Sequence, residues 1–484
     1  MTTEGKNYIG GEWTNGAGEE TFEQRNPADL REVTGVWPAS TREDVQRAIR
    51  AAQEAFPEWS SLSPLKRAEY LKKAHRSMKD RADEFAEVLT RENGKTLGES
   101  HAEINAAVSE MEFQINEGVR LGGETKPVSR DGVLAYSIRQ PLGAVSIISP
   151  WNFPFNVPGR KCTPALMAGN TVVFKPASLT PGTGAKFVEL FVDAGLPPGV
   201  LNFVTGSGSV VGEEMITNPG IKAISFTGST EVGRRINRKA SATMARVQLE
   251  MGGKNALVVL EDADLDAAVR SAVTAAHACA GQWCTSTSRA IVVEDVAEAF
   301  VEEVVDLANQ IAVGNGLDDG TAMGPVCGET QLQSVLNYID LGRDEGATLR
   351  LGGGRLTGGE YDHGCFVEPT VFTHVTPDMA IAQEEIFGPV LSVITVADFE
   401  EAVEVANGVE YGLSSSIYTA DLQRALTFME KTRVGLTHVN QMTALKEPQF
   451  SFGGVKASGF GLPEAGETGI EFFTEHKVAY VKYR

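Results

Sequence analysis

Four short runs of β-branched and apolar residues, Val145 to Ile148, Thr171 to Phe174, Leu201 to Val204 and Ala223 to Phe226, recur with helix-compatible stretches between them. That alternation limits the fold more than any other feature, because strands joined by helices lie parallel in a sheet covered on both faces. Each run ends in a loop rich in Gly, Pro, Ser or Asn, at 149–154, 175–178, 205–208 and 227–230. In open α/β sheets ligands bind outside the carboxyl ends of the strands, so these loops are expected to wall one site. A second series of strands and helices begins at Ala256 to Leu260 and continues to about Asn440. Within it, Gly352 to Gly359 reads as a surface connection without chemistry.

Upstream, Ser40 and Glu43 have capping-box spacing ahead of Val45, Ala48, Ile49, Ala52 and Phe56, which share one helical face, and helical pattern continues to about Leu121. Leu134 to Arg139 and Val478 to Tyr483 alternate instead like exposed strands; such edges invite pairing with another chain and predict a homodimer or homotetramer. The chain of 484 residues exceeds what one core usually organises, which predicts two or three packed units. Its net charge of -21 repels polyanions and argues against nucleic acid as a partner. Five scattered cysteines argue against a disulfide framework and for a reducing compartment, the cytoplasm. No signal-peptide pattern opens the sequence, and no apolar run has the length needed to span a bilayer, so no membrane partner is expected.

One cysteine stands apart by its context. Cys284 lies in Gly281-Gln282-Trp283-Cys284-Thr285-Ser286-Thr287, after a predicted helix across Ala263 to Ala280, and Glu250 lies upstream in Leu249-Glu250-Met251-Gly252-Gly253-Lys254. A thiol and a carboxylate suit covalent catalysis followed by base-assisted release. Each also has an ordinary structural reading: an inert buried thiol, and a carboxylate solvated in a turn after the strand Val247 to Leu249. Asn152, fenced by Pro150 and Pro154, either aims its amide at a developing oxyanion or closes an Asx turn. Gly228 to Gly233 has the pattern of a strand-to-helix turn whose N–H groups suit phosphate, although neither it nor Gly206-Ser207-Gly208 completes the G-x-G-x-x-G fingerprint. No paired Cys or His spacing surrounds Cys284, so no metal site is expected, and His277 reads as a helix-face residue.

Taken in order, Asn152, Lys175, Phe226 to Thr230, Glu250, Cys284, Glu384-Glu385-Ile386-Phe387-Gly388-Pro389-Val390 and Phe452-Gly453-Gly454-Val455-Lys456-Ala457-Ser458-Gly459 resemble the aldehyde dehydrogenase superfamily along nearly the whole chain. The resemblance implies an α/β fold with a Rossmann-type dinucleotide-binding domain (1–121 and 141–252), an α/β catalytic domain (253–455) and a small β extension for oligomerisation (122–140 and 468–484). It implies oxidation of an aldehyde to a carboxylate. Cys284 would add to the aldehyde carbon, Asn152 and the Cys284 N–H would hold the oxyanion, and Glu250 would activate the water that hydrolyses the thioester. It also implies NADP or NAD as cofactor, with Trp151 and Ser229 near the pyrophosphate, Lys175 at the adenosine ribose, Glu385 and Phe387 at the nicotinamide ribose, and Gly206, Gly228 and Gly233 in the cradle. NAD-preferring members often carry glutamate at the position of Ser178; serine there removes the repulsion of a 2′-phosphate and implies that NADP is accepted.

The same resemblance bears on the aldehyde. Arg160 stands where succinate semialdehyde enzymes of the family carry an arginine, and such a group grips a remote carboxylate with paired hydrogen bonds. The second arginine of those enzymes is here Ala278. His438 to Phe450 and the tail Gly461 to Gly466 are similar instead to members that oxidise α-ketoglutaric semialdehyde (2,5-dioxopentanoate) to 2-oxoglutarate in sugar-acid catabolism. Arg160 is then the expected carboxylate anchor, Lys446 a second candidate, and Phe155, Trp283 and Phe450 the expected apolar walls. Succinate semialdehyde and aromatic or aliphatic aldehydes stand as alternatives. From another class, so does a cysteine hydrolase that uses His277 as base and needs no nicotinamide.

Overall fold

The computed structural model describes residues 2–484, and among them the strands form four sheets. An eight-stranded sheet runs Gly459–Phe460, Arg246–Glu250, Ala223–Thr227, Ala144–Ile148, Thr171–Lys175, Leu201–Phe203, Asn7–Ile9 and Glu12–Thr14. Its inner strands, from Arg246–Glu250 to Leu201–Phe203, are parallel, and the short strands at both edges are antiparallel. Val172, Val173 and Phe174 are fully buried, as a strand between two helical layers requires. The chain lays Ala144–Ile148, Thr171–Lys175 and Leu201–Phe203 in one direction, then returns to add Ala223–Thr227 and Arg246–Glu250 on the other side of Ala144–Ile148. Strand order therefore reverses between Ala144–Ile148 and Ala223–Thr227, and a crevice opens beyond their carboxyl ends.

The second series forms a seven-stranded sheet in the order Thr348–Leu351, Thr370–Thr373, Val390–Val396, Thr287–Val293, Asn255–Val259, Ser414–Tyr418 and Leu436–Val439. Only its Thr348–Leu351 edge is antiparallel. Leu257, Val258 and Val259 are fully buried at its centre. The remaining strands are Thr3–Glu4, Asp29–Pro38 and Thr21–Asn26 in one small sheet, and Val133–Pro141 with Thr474–Lys482 in another. The two alternating stretches thus pair antiparallel with each other, leaving Ile138, Val478 and Tyr480 exposed. Residue 468 lies inside the helix Gly466–Phe472. No helix among the described residues is long and apolar enough to cross a membrane.

Two local expectations shift. The first long helix, Arg42–Ser61, is capped by Thr41 and Asp44, because the Ser40 hydroxyl instead accepts a hydrogen bond from Asn7 Nδ2 at 2.8 Å. The helix expected over Ala263 to Ala280 is Leu265–His277; beyond it Cys279 and Ala280 both turn left-handed, at φ of 51° and 53°. That strained turn carries the chain toward Cys284.

Candidate active site

At the reversal of strand order, loops from the eight-stranded sheet face loops from the seven-stranded sheet across a cavity of about 550 Å³. Trp151, Asn152, Gly228, Ser229 and Glu250 reach it from the first sheet, and Cys284, Glu385 and Phe387 from the second. The size suits a small-molecule site.

Cys284 is half-buried on the turn leading into Thr287–Val293. Asn255 Nδ2 pins that turn by donating to Cys284 O and Ser286 O, each at 2.8 Å. Asn152 Nδ2 donates to Gln282 O at 3.0 Å, so its buried carboxamide points at the thiol loop rather than closing a turn on its own backbone. Burial pushes the Cys284 thiol up to about 12, and the Glu385 carboxylate adds most among the charges. The thiol is held protonated at neutral pH.

Glu250 ends the strand Arg246–Glu250 and is 4 % exposed, so it is no solvated turn residue. One carboxylate oxygen accepts Gly454 N–H at 3.2 Å, and a Cβ on Gly453 would come within 2.8 Å of the other. Burial, reinforced by Glu464, raises its pKa well above the usual carboxylate range. A carboxyl poised in this way is suited to take a proton near neutral pH.

On the opposite flank of the thiol, Glu385 accepts Gly253 N–H at 3.0 Å. A side chain at Gly252 would collide with that carboxylate, which is why the Gly252-Gly253 pair lies beneath it. Trp151 packs edge-on against Phe387 at 5.3 Å. Ser229 caps the helix Thr230–Ala240 by accepting Val232 N–H at 3.4 Å, so the start of that helix meets the cavity. Lys175 is buried with one hydrogen bond, to Pro176 O at 2.9 Å, and burial brings its pKa down to about 8. Thr227 Oγ1, on the cavity wall, is buried without a partner. Ser178 Oγ donates to Gly206 O at 3.2 Å, joining two neighbouring strand-end loops. Lys175, Ser178, Gly206 and Gly233 do not line the cavity itself, and Gly233 packs its helix against Met251. A helix start, a singly bonded ammonium and an orphan hydroxyl make a donor set that fits a dinucleotide.

The other end of the cavity is an ion cluster. Arg160 lines the wall, but its bidentate face is taken: Nε and a terminal nitrogen donate to Glu110 at 2.8 and 2.9 Å, and the second terminal nitrogen donates to Glu464 at 2.7 Å. The guanidinium also stacks on Phe452 at 4.8 Å. The Arg160 fork expected for a substrate is thus already spent on side chains of the protein. Lys161 pairs with Glu464 at 2.6 Å, and Lys446, expected as either anchor or solvated loop lysine, pairs with Glu110 and is partly exposed on the wall. Trp283 lines the cavity, as expected, against Phe153 at 5.5 Å. Phe155 and Phe450 do not. Phe155 points inward to pack on Phe85 and Phe187, and Phe450 is 68 % exposed outside the site. Phe153 and Phe452 take those places, two residues back and two residues on, because a loop side chain's direction is not encoded by its neighbours.

His277 is buried with Nδ1 on Val273 O at 2.9 Å, its pKa brought down to about 4 by burial, and it does not line the cavity. A base for Cys284 is not available from it. Sequence reasoning passed over Glu110 altogether and saw Glu464 only as part of a tail; buried ion pairs leave no local signature.

The pattern of the aldehyde dehydrogenase family matches residues 13–479. The chain is 44% identical to the alpha-ketoglutaric semialdehyde dehydrogenase of Bacillus subtilis, over 98% of each chain. It is 43% identical to the alpha-ketoglutarate semialdehyde dehydrogenase of Haloferax volcanii over 100% of each. A solved structure described as a putative aldehyde dehydrogenase from Burkholderia cenocepacia superposes with a TM-score of 0.97 at 35% identity, covering 99% of this chain and 98% of that one. This chain therefore belongs to the aldehyde dehydrogenase family and is an oxidoreductase of aldehydes that uses NAD or NADP.

Proposed function

We propose that the protein oxidises 2,5-dioxopentanoate to 2-oxoglutarate in the cytoplasm, as a homodimer or homotetramer assembled through the exposed sheet of Val133–Pro141 and Thr474–Lys482. The observation that carries the substrate is the charge of the ion cluster. Three cations, Arg160, Lys161 and Lys446, stand against the two carboxylates Glu110 and Glu464 in these ion pairs. The excess positive charge favours an aldehyde whose far end is a carboxylate. Lys446, partly exposed and tied to Glu110 alone, is the group positioned to receive it. Ala278 on the wall leaves length for a chain one carbon longer than succinate semialdehyde, whose enzymes fill that position with arginine. The names of the Bacillus and Haloferax relatives agree with this reading.

In the proposed reaction the Cys284 thiol gives its proton to solvent, and the resulting thiolate adds to the aldehyde carbon. One hydrogen of the Asn152 amide is held by Gln282 O, and the other, with the Cys284 N–H, meets the oxyanion. Trp151, Ser229, Lys175, Glu385 and Phe387 would hold the dinucleotide, which supplies the hydride acceptor. Glu250 then takes a proton from the water that attacks the thioester, and it starts as a better base than a solvated carboxylate because its proton affinity is raised. Ser178 places no negative charge against a 2′-phosphate, so both dinucleotides are expected to work.

A panel of 2,5-dioxopentanoate, succinate semialdehyde, benzaldehyde and a neutral aliphatic aldehyde, each assayed with NAD and with NADP, tests the proposal. The first should give the highest kcat/KM. A neutral aldehyde ranking first would overturn the substrate, and no turnover with NADP at saturating aldehyde would overturn the reading of Ser178.

A further inference from the structure

The start of the helix Leu97–Arg120 touches both catalytic loops at once. Lys95, 1 % exposed, donates from Nζ to Glu103 at 2.6 Å and to the backbone carbonyl of Asn152 at 2.7 Å. The same ammonium lies 4.2 Å from the Phe153 ring. Glu103 uses its other oxygen to accept the N–H groups of Phe155 and Asn156, at 2.8 and 3.0 Å, where the helix Asn156–Ala168 begins. One turn earlier, Glu99 accepts Cys279 N–H at 2.6 Å, in the left-handed turn that precedes Cys284. Glu99 is itself held by the Thr96 capping box. Lys95, Glu99 and Glu103 therefore grip the Asn152 loop of one sheet and the Cys279 turn of the other.

We infer that Lys95 is a positioning residue, whose ammonium, clamped on the Asn152 carbonyl, sets the direction of the Asn152 carboxamide toward the oxyanion formed at Cys284. The inference rests on the proposed role of Asn152. A buried ammonium with charged and neutral acceptors on fixed backbone holds direction more firmly than a loop constrained by prolines alone. The alignment matters only once negative charge develops on the substrate oxygen, so its loss appears in kcat and leaves KM nearly unchanged.

Lys95→Met keeps the length of the side chain and removes its donors. It is measured alone and in an Asn152→Ala background, with dinucleotide affinity followed by fluorescence. If Lys95 acts through Asn152, Lys95→Met alone lowers kcat on the order of 10²-fold, as an ångström-scale misplacement does. It then has almost no further effect once Asn152 is alanine. Aldehyde KM and dinucleotide affinity should stay near their starting values. An unchanged kcat, or an equal drop in both backgrounds, overturns the inference while leaving Asn152 as oxyanion donor. A normal kcat for Asn152→Ala alone overturns the underlying role instead. Because Lys95→Met strands the Glu103 charge, the pair Lys95→Met with Glu103→Gln removes both charges and is read by the same comparison should the single variant not fold.

Discussion

The two ends of the cavity are built on opposite principles. At the ion cluster every charge has a partner: Arg160 has Glu110 and Glu464, Lys161 has Glu464, and Lys446 has Glu110. At the dinucleotide end, polar groups are buried with few partners. Lys175, just behind the wall, has one carbonyl, Glu385 one N–H, and Thr227 Oγ1 none. An unpaired buried polar group costs roughly 1 to 3 kcal/mol, so the second end is stabilised by a ligand that brings its own hydroxyls and phosphates, whereas the first is already satisfied. The difference assigns tasks. The paired end sets shape and net charge in advance; the unpaired end holds groups whose protonation changes when something binds or the pH moves.

Removing Arg160 breaks the comparison most severely. Arg160→Ala leaves Glu110 and Glu464 buried against fewer cations, and a broken buried pair costs about 3 to 5 kcal/mol. Thermal unfolding should move down by many degrees, and turnover of acidic and neutral aldehydes should fall together. A stable Arg160→Ala that loses only the acidic aldehyde would show that the guanidinium serves the ligand and that the pairing is incidental.

Lys446 makes a finer cut at the same end. Lys446→Met should raise KM for 2,5-dioxopentanoate roughly tenfold, about 1.4 kcal/mol, and leave neutral aldehydes nearly unchanged. Burial, then the neighbouring Arg160, lowers the Lys446 pKa. Its cation is thus lost earlier on the alkaline side than that of a free lysine, and KM for the acidic aldehyde should climb with pH there while KM for a neutral aldehyde stays flat. Equal slopes for the two would remove Lys446 from carboxylate recognition.

The contrast between the ends also explains what was legible in the sequence. The strands and their glycine-rich ends follow from runs such as Thr171 to Phe174 and loops such as 227–230, because both faces of a central strand and the turn after it are specified locally. Cys284, Glu250 and Asn152 each keep an ordinary structural reading on local pattern alone, and it is their order along the chain, through the family resemblance, that singles them out. The cluster was not legible. Glu99, Glu103 and Glu110 share one face of Leu97–Arg120, and a row of glutamates on a helix is solvated by default. Only contacts with Cys279, Asn156 and Arg160, from 50 to 180 positions away, give them partners, and Glu103 and Glu110 are buried there. Phe155 and Phe450 misled for a related reason, since aromatic type does not reveal which way a loop side chain turns.

Glu385 offers the smallest effect and the most direct test of the unpaired end. Burial raises its pKa from the usual carboxylate range to about 7, and its charge in turn raises the Cys284 thiol. In the native chain, alkylation of Cys284 by iodoacetamide should therefore rise less than tenfold per pH unit across about pH 6 to 8, because Glu385 ionises over the same interval and opposes thiolate formation. Glu385→Gln removes that opposition: its rate should climb tenfold per unit throughout, match the native rate below about pH 6, and exceed it a few-fold above about pH 8. Stability follows the same sign. A carboxyl whose folded pKa is raised contributes stability that is complete below its unfolded pKa and is lost as pH rises through about 7, so native Tm should fall across that window and the Glu385→Gln variant should lose that part of the slope. Identical alkylation profiles for the two proteins would mean that Glu385 is neutral or paired beside the thiol, and the proposed difference between the ends would reduce to the singly bonded Lys175 and the orphan hydroxyl of Thr227.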